Sequence, residues 1–211
     1  MALIYSIRHR LPIHFSQRVN ELFPIIDAAL ASAAERSGAH LGCRPGCHQC
    51  CIGVFAISPL DAVSLREGLA AAPTDVAGRI RARALESRDR LLAAGFPGDP
   101  NTGILFIDPH HEDDFEEFAN DEPCPVLDPA TGTCDLYASR PVQCRTFGPP
   151  VRDDDGHLTV CELCFTHAST EEVARAEMDQ GWRPLEDELI AKAESDPANA
   201  GPTLIAFALT R

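Results

Sequence analysis

CRPGCHQCC, running from Cys43 to Cys51, places four cysteines in nine residues, the last two adjacent. Pro45 and Gly46 interrupt the stretch, and its reading decides how the middle of the chain is built. A residue before proline avoids the helical region, and proline suits a first helical position. Arg44 is therefore expected to be extended, with a short helix opening at Pro45. On such a helix Cys47, Cys50 and Cys51 stand at i, i+3 and i+4, on one face, and Cys43 joins them from the loop beside Gly42. Backbone N–H groups at a helix start favour thiolate over thiol, lowering a free value near ~8.5 by about a unit or more. Adjacent Cys50 and Cys51 point about 100° apart on a helix, so they are expected to serve different metal atoms.

Thiols packed this tightly imply a disulfide framework, a metal or a catalytic group. The chain has nine cysteines in 211 residues, short of the roughly 8–10% that marks a disulfide scaffold. An odd count also leaves one unpaired. The amino-terminal MALIYSIRHRLPIHF has only a short apolar run before Arg8 and Arg10, without the longer run and cleavage site of a secretory signal. No stretch approaches the roughly 18 apolar residues of a membrane span. A cytoplasmic location is expected, where structural disulfides are rare, so metal binding is the better account of the thiols. The formal charge of −14 argues for solubility and against nucleic acid or anionic membrane as partners, since both call for basic patches.

The expected fold is α+β, a mostly helical single domain with short strands and an irregular, cysteine-rich, metal-organised middle. Residues 1–37 form an N-terminal helical segment, 38–168 the cysteine-cluster metal-binding domain, and 169–211 a C-terminal helical extension packed on the same domain. Ser16 is a cap for a helix to about Ser37, with Val19, Leu22, Phe23, Ile26 and Leu30 at helical spacing, Pro24 as a kink and Gly38 as the stop. Ser58-Pro59-Leu60-Asp61 is a start signal for a helix to about Ala72. Thr74 opens another, to Ala94. Residues 96–168 offer only short strand-like runs: Ile104–Ile107, Val126–Leu127, Leu136–Tyr137 and Leu158–Val160. Asp128–Thr133 reads as a turn between two of them. So long an irregular region needs cross-linking, and the cysteines can supply it. Helical pattern returns after Ser169 and again after Pro184, while Thr203–Leu209 is compatible with strand or helix.

The remaining cysteines are Cys124 in CPVL, Cys134 in TCDLY, Cys144 in RPVQCRTF, and Cys161 and Cys164 in CELC. Each lies beside a turn or helix-start signal, and all nine are candidate metal ligands. In this order the motifs resemble the zinc- or iron-chelating cysteine-cluster family (YkgJ-like, CxxCxxCC type), over roughly residues 40–165. The resemblance implies that Cys43, Cys47, Cys50, Cys51, Cys124, Cys134 and Cys144 form the cofactor-binding set, with Cys161 a further ligand. Cys164, the three-residue gap after Cys43 and the acidic insert around His110–Asp114 depart from the common pattern. The family includes sequences similar to flagellin lysine N-methylases. That implies a protein-modifying enzyme as the alternative to a structural or electron-transfer role, with a protein substrate or redox partner.

Zinc and iron–sulfur both remain open, with a lean towards iron–sulfur. Tetrahedral zinc at about 2.3 Å needs sulfurs about 3.8 Å apart, and Cys47-x-x-Cys50 and Cys161-x-x-Cys164 meet that locally. Eight or nine thiolates suit two four-ligand centres, or one larger cluster, better than one zinc. The spacing Cys43-x-x-x-Cys47-x-x-Cys50 also occurs in radical S-adenosylmethionine enzymes. Against that reading, Gln49 stands where an aromatic is usual and no alternating strand–helix pattern follows. Arg140 and Arg145 could offset thiolate charge, though ordinary ion pairs are the expected role. His48 is expected to be exposed or capping, with a ligand or supporting role as the alternative, and His110 and His111 to lie in a solvated acidic loop. Tyr137 and Phe147 are expected to pack around the metal site. No phosphate-binding glycine loop or nucleophile elbow is present.

Overall fold

The computed structural model describes residues 13–44, 46–106, 118–153 and 155–211. Seven α-helices and two small hairpins appear among them. Helix α1 is Ile13–Ser37, running through Pro24, and it buries Phe15, Val19, Leu22, Ile26 and Ala33 along one stripe at three-, four- and seven-residue intervals. It stops where Gly38 takes φ +51°. Helix α2 is Pro59–Ala71, opened by a capping box in which the Ser58 side chain and the Asp61 carboxylate satisfy each other's backbone N–H. Every residue from Pro59 to Leu65 is buried, because α2 lies between two cores. Helix α3 is Thr74–Ala93, and Gly95 behind it sits at φ +88°.

The first core joins α1 and α2 to α6, Arg183–Glu194, through Leu22, Ile26, Leu60, Val63, Trp182 and Leu189. Its floor includes Val142 from α4, the short helix Val142–Thr146. The second core joins α2 and α3 to α7, Ile205–Ala208, through Leu65, Ile80, Ala84 and Ile205. Val126, Leu136 and the partly buried Cys124 and Cys134 pack against it. A satellite cluster of Cys161, Cys164, Phe165 and Ala176 lies just before and after α5, Thr170–Arg175. Chain-terminal helices α1, α6 and α7 thus frame a middle segment that has little regular structure of its own.

That segment holds two antiparallel pairs, β1 Leu127–Asp128 with β2 Thr133–Cys134, and β3 Val151–Arg152 with β4 Leu158–Thr159. The turn at Asp128–Thr133 is as expected, with Gly132 at φ +67°. Leu136–Tyr137 is not a strand: Tyr137–Ser139 is a 3-10 helix, and the strand lies earlier because Leu127 pairs with Cys134. Of the expected strand at 104–107, Leu105 and Ile104 make single bridges to Gly98 and Thr203; Ile107 lies outside the described residues. The Thr203–Leu209 run divides, Thr203 bridging Ile57 before α7 begins. Among the described residues no helix is long and apolar enough to cross a membrane.

Candidate metal centre

The opening motif does not form one helix. The Cys47 N–H donates to the Arg44 carbonyl at 2.9 Å, closing a turn in which Gly46 sits at φ +89°. A left-handed residue there ends any helix before Cys47, and helical backbone returns only as the 3-10 turn Gln49–Cys51. Pro45, the expected helix start, lies outside the described residues. The consequence is that Cys47 and Cys50, predicted to share a face, belong to different groups of thiols.

The outer group is Cys43, Cys47, Cys161 and Cys164. Cys43 hydrogen-bonds to Cys164 and lies within electrostatic reach of Cys161 and Cys47, while Cys161 interacts with Cys164 and Cys47. The Cys164 N–H donates to the Cys161 carbonyl at 2.8 Å, a tight turn that puts both sulfurs together. Two backbone groups serve these sulfurs: Gly42 N–H donates to Cys164 Sγ at 3.2 Å, and Leu163 N–H to the Cys161 sulfur. Cys161 and Cys164 are buried, whereas Cys43 and Cys47 are exposed. Burial first, then the neighbouring thiols, pushes the Cys43 thiol up to about 12.

The inner group is Cys50, Cys51, Cys124, Cys134 and Cys144, drawn from four separate segments. Residues 51–53 run alongside 122–124, with Cys124 N–H donating to the Cys51 carbonyl at 2.8 Å and Gly53 N–H to the Glu122 carbonyl at 2.9 Å. The β1–β2 hairpin then folds Cys134 back towards Cys124. The Cys124 sulfur accepts the N–H groups of Val126 and Leu127, and the Cys134 sulfur that of Leu136. Cys144 arrives on α4, whose first N–H, from Val142, donates to Asp61 Oδ1 at 2.9 Å. Cys50 and Cys51, expected to diverge, instead hydrogen-bond to each other. That bond, received from the Cys51 thiol, lowers Cys50 to about 6 and raises Cys51. Burial holds Cys124 at about 12, with Cys134 and Cys144 also raised chiefly by burial. So many sulfurs cannot all ionise together without a compensating cation.

All nine cysteines are free thiols. Among the described residues no three of His, Cys, Asp and Glu stand closed around one point as a metal site, so the thiols are gathered without being drawn into a coordination shell. Their chemistry still fits a soft metal: thiolate donors, N–H groups aimed at sulfur and partial burial are what such a site requires.

The supporting residues follow the plainer expectations. Arg145, 1% exposed, gives Nη1 to both Asp27 carboxylate oxygens at 2.9 and 2.7 Å, Nε to the Arg140 carbonyl at 3.1 Å and Nη2 to the Ala138 carbonyl. Arg140 donates to Asp27 Oδ1 at 2.8 Å, and its charge also favours the Cys134 thiolate. Both arginines are thus structural clamps joining α4 and its approach to α1. His48 precedes the 3-10 turn with its ring 3.1 Å from the Gly46 carbonyl, and a protonated ring there favours the Cys50 thiolate. Tyr137 and Phe147 do not shield the thiols: they are 63% and 43% exposed, and the Tyr137 ring lies under the Arg140 guanidinium. His110 and His111 lie outside the described residues. Sequence reading saw Asp61 only as an acid favoured at a helix start and passed over Asp27; the acidic N3 position after Ser58 was the one available signal.

A helical frame gathering nine free thiols from loops, a short hairpin, a 3-10 turn and one short helix defines a cysteine-cluster domain. The chain belongs to the CxxCxxCC family, described as a "putative zinc- or iron-chelating domain", which matches residues 42–165 and so takes in all nine thiols. No curated protein matches the chain, and no solved structure does.

Proposed function

We propose that this protein chelates a metal through its inner thiols, Cys50, Cys51, Cys124, Cys134 and Cys144, in a structural or electron-transfer role. The observation that carries the reading is the convergence of five free thiols from four segments of chain. An iron–sulfur cluster is favoured over zinc, because five converging free thiols exceed the four ligands of one tetrahedral zinc, whereas a cluster spreads its ligands over several irons. The N–H groups of Val126, Leu127 and Leu136 would tune such a cluster by donating to its cysteine sulfurs. Residues 38–168 form the chelating unit in this reading, with 1–37 and 169–211 as its frame, and a reducing cytoplasm keeps the thiols available.

The test is anaerobic purification followed by elemental analysis for iron, zinc and acid-labile sulfide, with a visible spectrum, on the full chain and on Cys134→Ser. Iron, sulfide and colour that Cys134→Ser loses are expected. Colourless protein with stoichiometric zinc that Cys134→Ser loses selects zinc at the same thiols. A chain that takes up neither metal, even on anaerobic reconstitution, defeats the proposal.

A further inference from the structure

We propose that Cys43, Cys47, Cys161 and Cys164 form a second metal centre, separate from the inner thiols and suited to a single tetrahedral ion of the zinc class. This rests on the chelating reading above and divides the cysteine motif between two centres, Cys43 and Cys47 on one side of His48 and Gln49, Cys50 and Cys51 on the other.

Several independent features point to four ligands and one ion. The turn at Arg44–Cys47 folds the chain back between Cys43 and Cys47, and the sulfur neighbours of Cys43 and Cys161 are the other members of this group. Cys161-x-x-Cys164 is a two-residue-spaced pair of the kind found in structural zinc sites, with its turn already closed and both its sulfurs accepting backbone N–H groups. The approach of the loops is possible only with glycine at two points. A Cβ on Gly42 would stand 2.8 Å from the Leu163 carbonyl oxygen, and one on Gly148, at φ +124°, 2.8 Å from Cys43 Sγ. The exposed Cys43 and Cys47 leave the group open to solvent for metal entry, over a base of buried Cys161 and Cys164.

The location gives a bound ion two loops to fasten. The loop after α1 meets the loop before α5 through the small buried cluster of Cys161, Cys164, Phe165 and Ala176. The Phe165 N–H bond to the His40 carbonyl at 2.9 Å and the Gln49–Glu162 hydrogen bond at 3.1 Å add to it. Four thiolates leave no open coordination position, so the centre is structural, and its binding energy becomes folding energy for the two loops.

The test uses the full chain, reconstituted anaerobically with zinc and iron and, in parallel, with cobalt(II) as a spectroscopic probe of tetrahedral thiolate ligation. The variants are Cys47→Ser, at an exposed position, and Cys134→Ser. Cys47→Ser is expected to lose one zinc per chain and the cobalt–thiolate absorption, with the inner metal, its spectrum and far-UV circular dichroism unchanged. Cys134→Ser is expected to lose the inner metal and keep that zinc. Loss of the same metal by both variants, or a wild-type chain loaded at the inner thiols alone, overturns the second centre while leaving the chelating reading intact. A wild-type chain that binds no metal overturns both.

Discussion

Asp61→Ala removes one buried carboxylate that ties two helices to an inner thiol, and its cost can be assembled from the contacts. Asp61 is 4% exposed. Its Oδ2 accepts from Ser58 N–H at 3.3 Å and Ser58 Oγ at 3.0 Å, and its Oδ1 from Val142 N–H at 2.9 Å. Losing its half of the α2 capping box costs about 0.5–1 kcal/mol. Leaving the Val142 N–H buried without an acceptor costs about 1–3 kcal/mol. Relief of a buried charge opposes both, since burial pushes this carboxyl above its ordinary range against the pull of the Val142 and Ser58 N–H groups and Arg145. A net loss of about 2 kcal/mol follows, read as a lower urea midpoint at constant m-value. Because the lost contact sits at the first turn of α4, the opening is local as well as global. Cys144 should therefore be alkylated roughly tenfold faster, measured residue by residue by mass spectrometry, tenfold being about 1.4 kcal/mol. A midpoint within ~0.5 kcal/mol of wild type, with Cys144 labelling unchanged, would refute the assignment of Asp61 as the anchor of that helix.

Glu186 gives a pH signature, because burial, with Asp61 and Asp187 nearby, raises its carboxyl from 4.5 to about 7. The folded chain then holds this proton more tightly than the unfolded one. The stability it contributes is complete below the unfolded value and is lost as pH rises through about 7. Glu186→Gln should flatten the thermal midpoint between those values, and an unchanged pH profile would count against it. Gly148→Ala places a methyl 2.8 Å from Cys43 Sγ on a left-handed backbone, so metal uptake by the outer thiols should weaken while the inner ones load normally, as read by zinc stoichiometry. Leu22→Ala, at a side chain 0% exposed in the first core, should cost about 2–5 kcal/mol by chemical denaturation, without altering the metal-to-protein ratio of the folded fraction.

What was legible in the sequence was local. Ser58-Pro59-Leu60-Asp61 contains a cap, a first-turn proline and a reciprocal acid within four residues, and α2 begins there. Gly38 and Gly95 end their helices because each supplies the left-handed residue a stop requires. The cysteine motif was misread where two local signals competed. Pro45 can begin a helix, but Pro45-Gly46 can equally form the centre of a turn with glycine at its left-handed third position, and the Cys47-to-Arg44 hydrogen bond shows that the turn prevails. The sorting of thiols into two groups was not legible, since Cys161 lies more than a hundred residues from Cys43 and only the tertiary frame brings them together. Tyr137 misled for a related reason: its exposed ring stacks under Arg140, which is itself committed to Asp27 on α1.

Only His48 and Gln49 intervene between Cys47 of one thiol group and Cys50 of the other. Three peptide steps reach at most about 11 Å. At roughly 10 Å, unit charges on those two residues interact by about 1.7 kcal/mol at an effective dielectric near 20, nearly a twentyfold factor in an equilibrium constant. With a redox-inert zinc-class ion held by four outer thiolates, the net negative charge of that site would therefore make a cluster at the inner thiols harder to reduce.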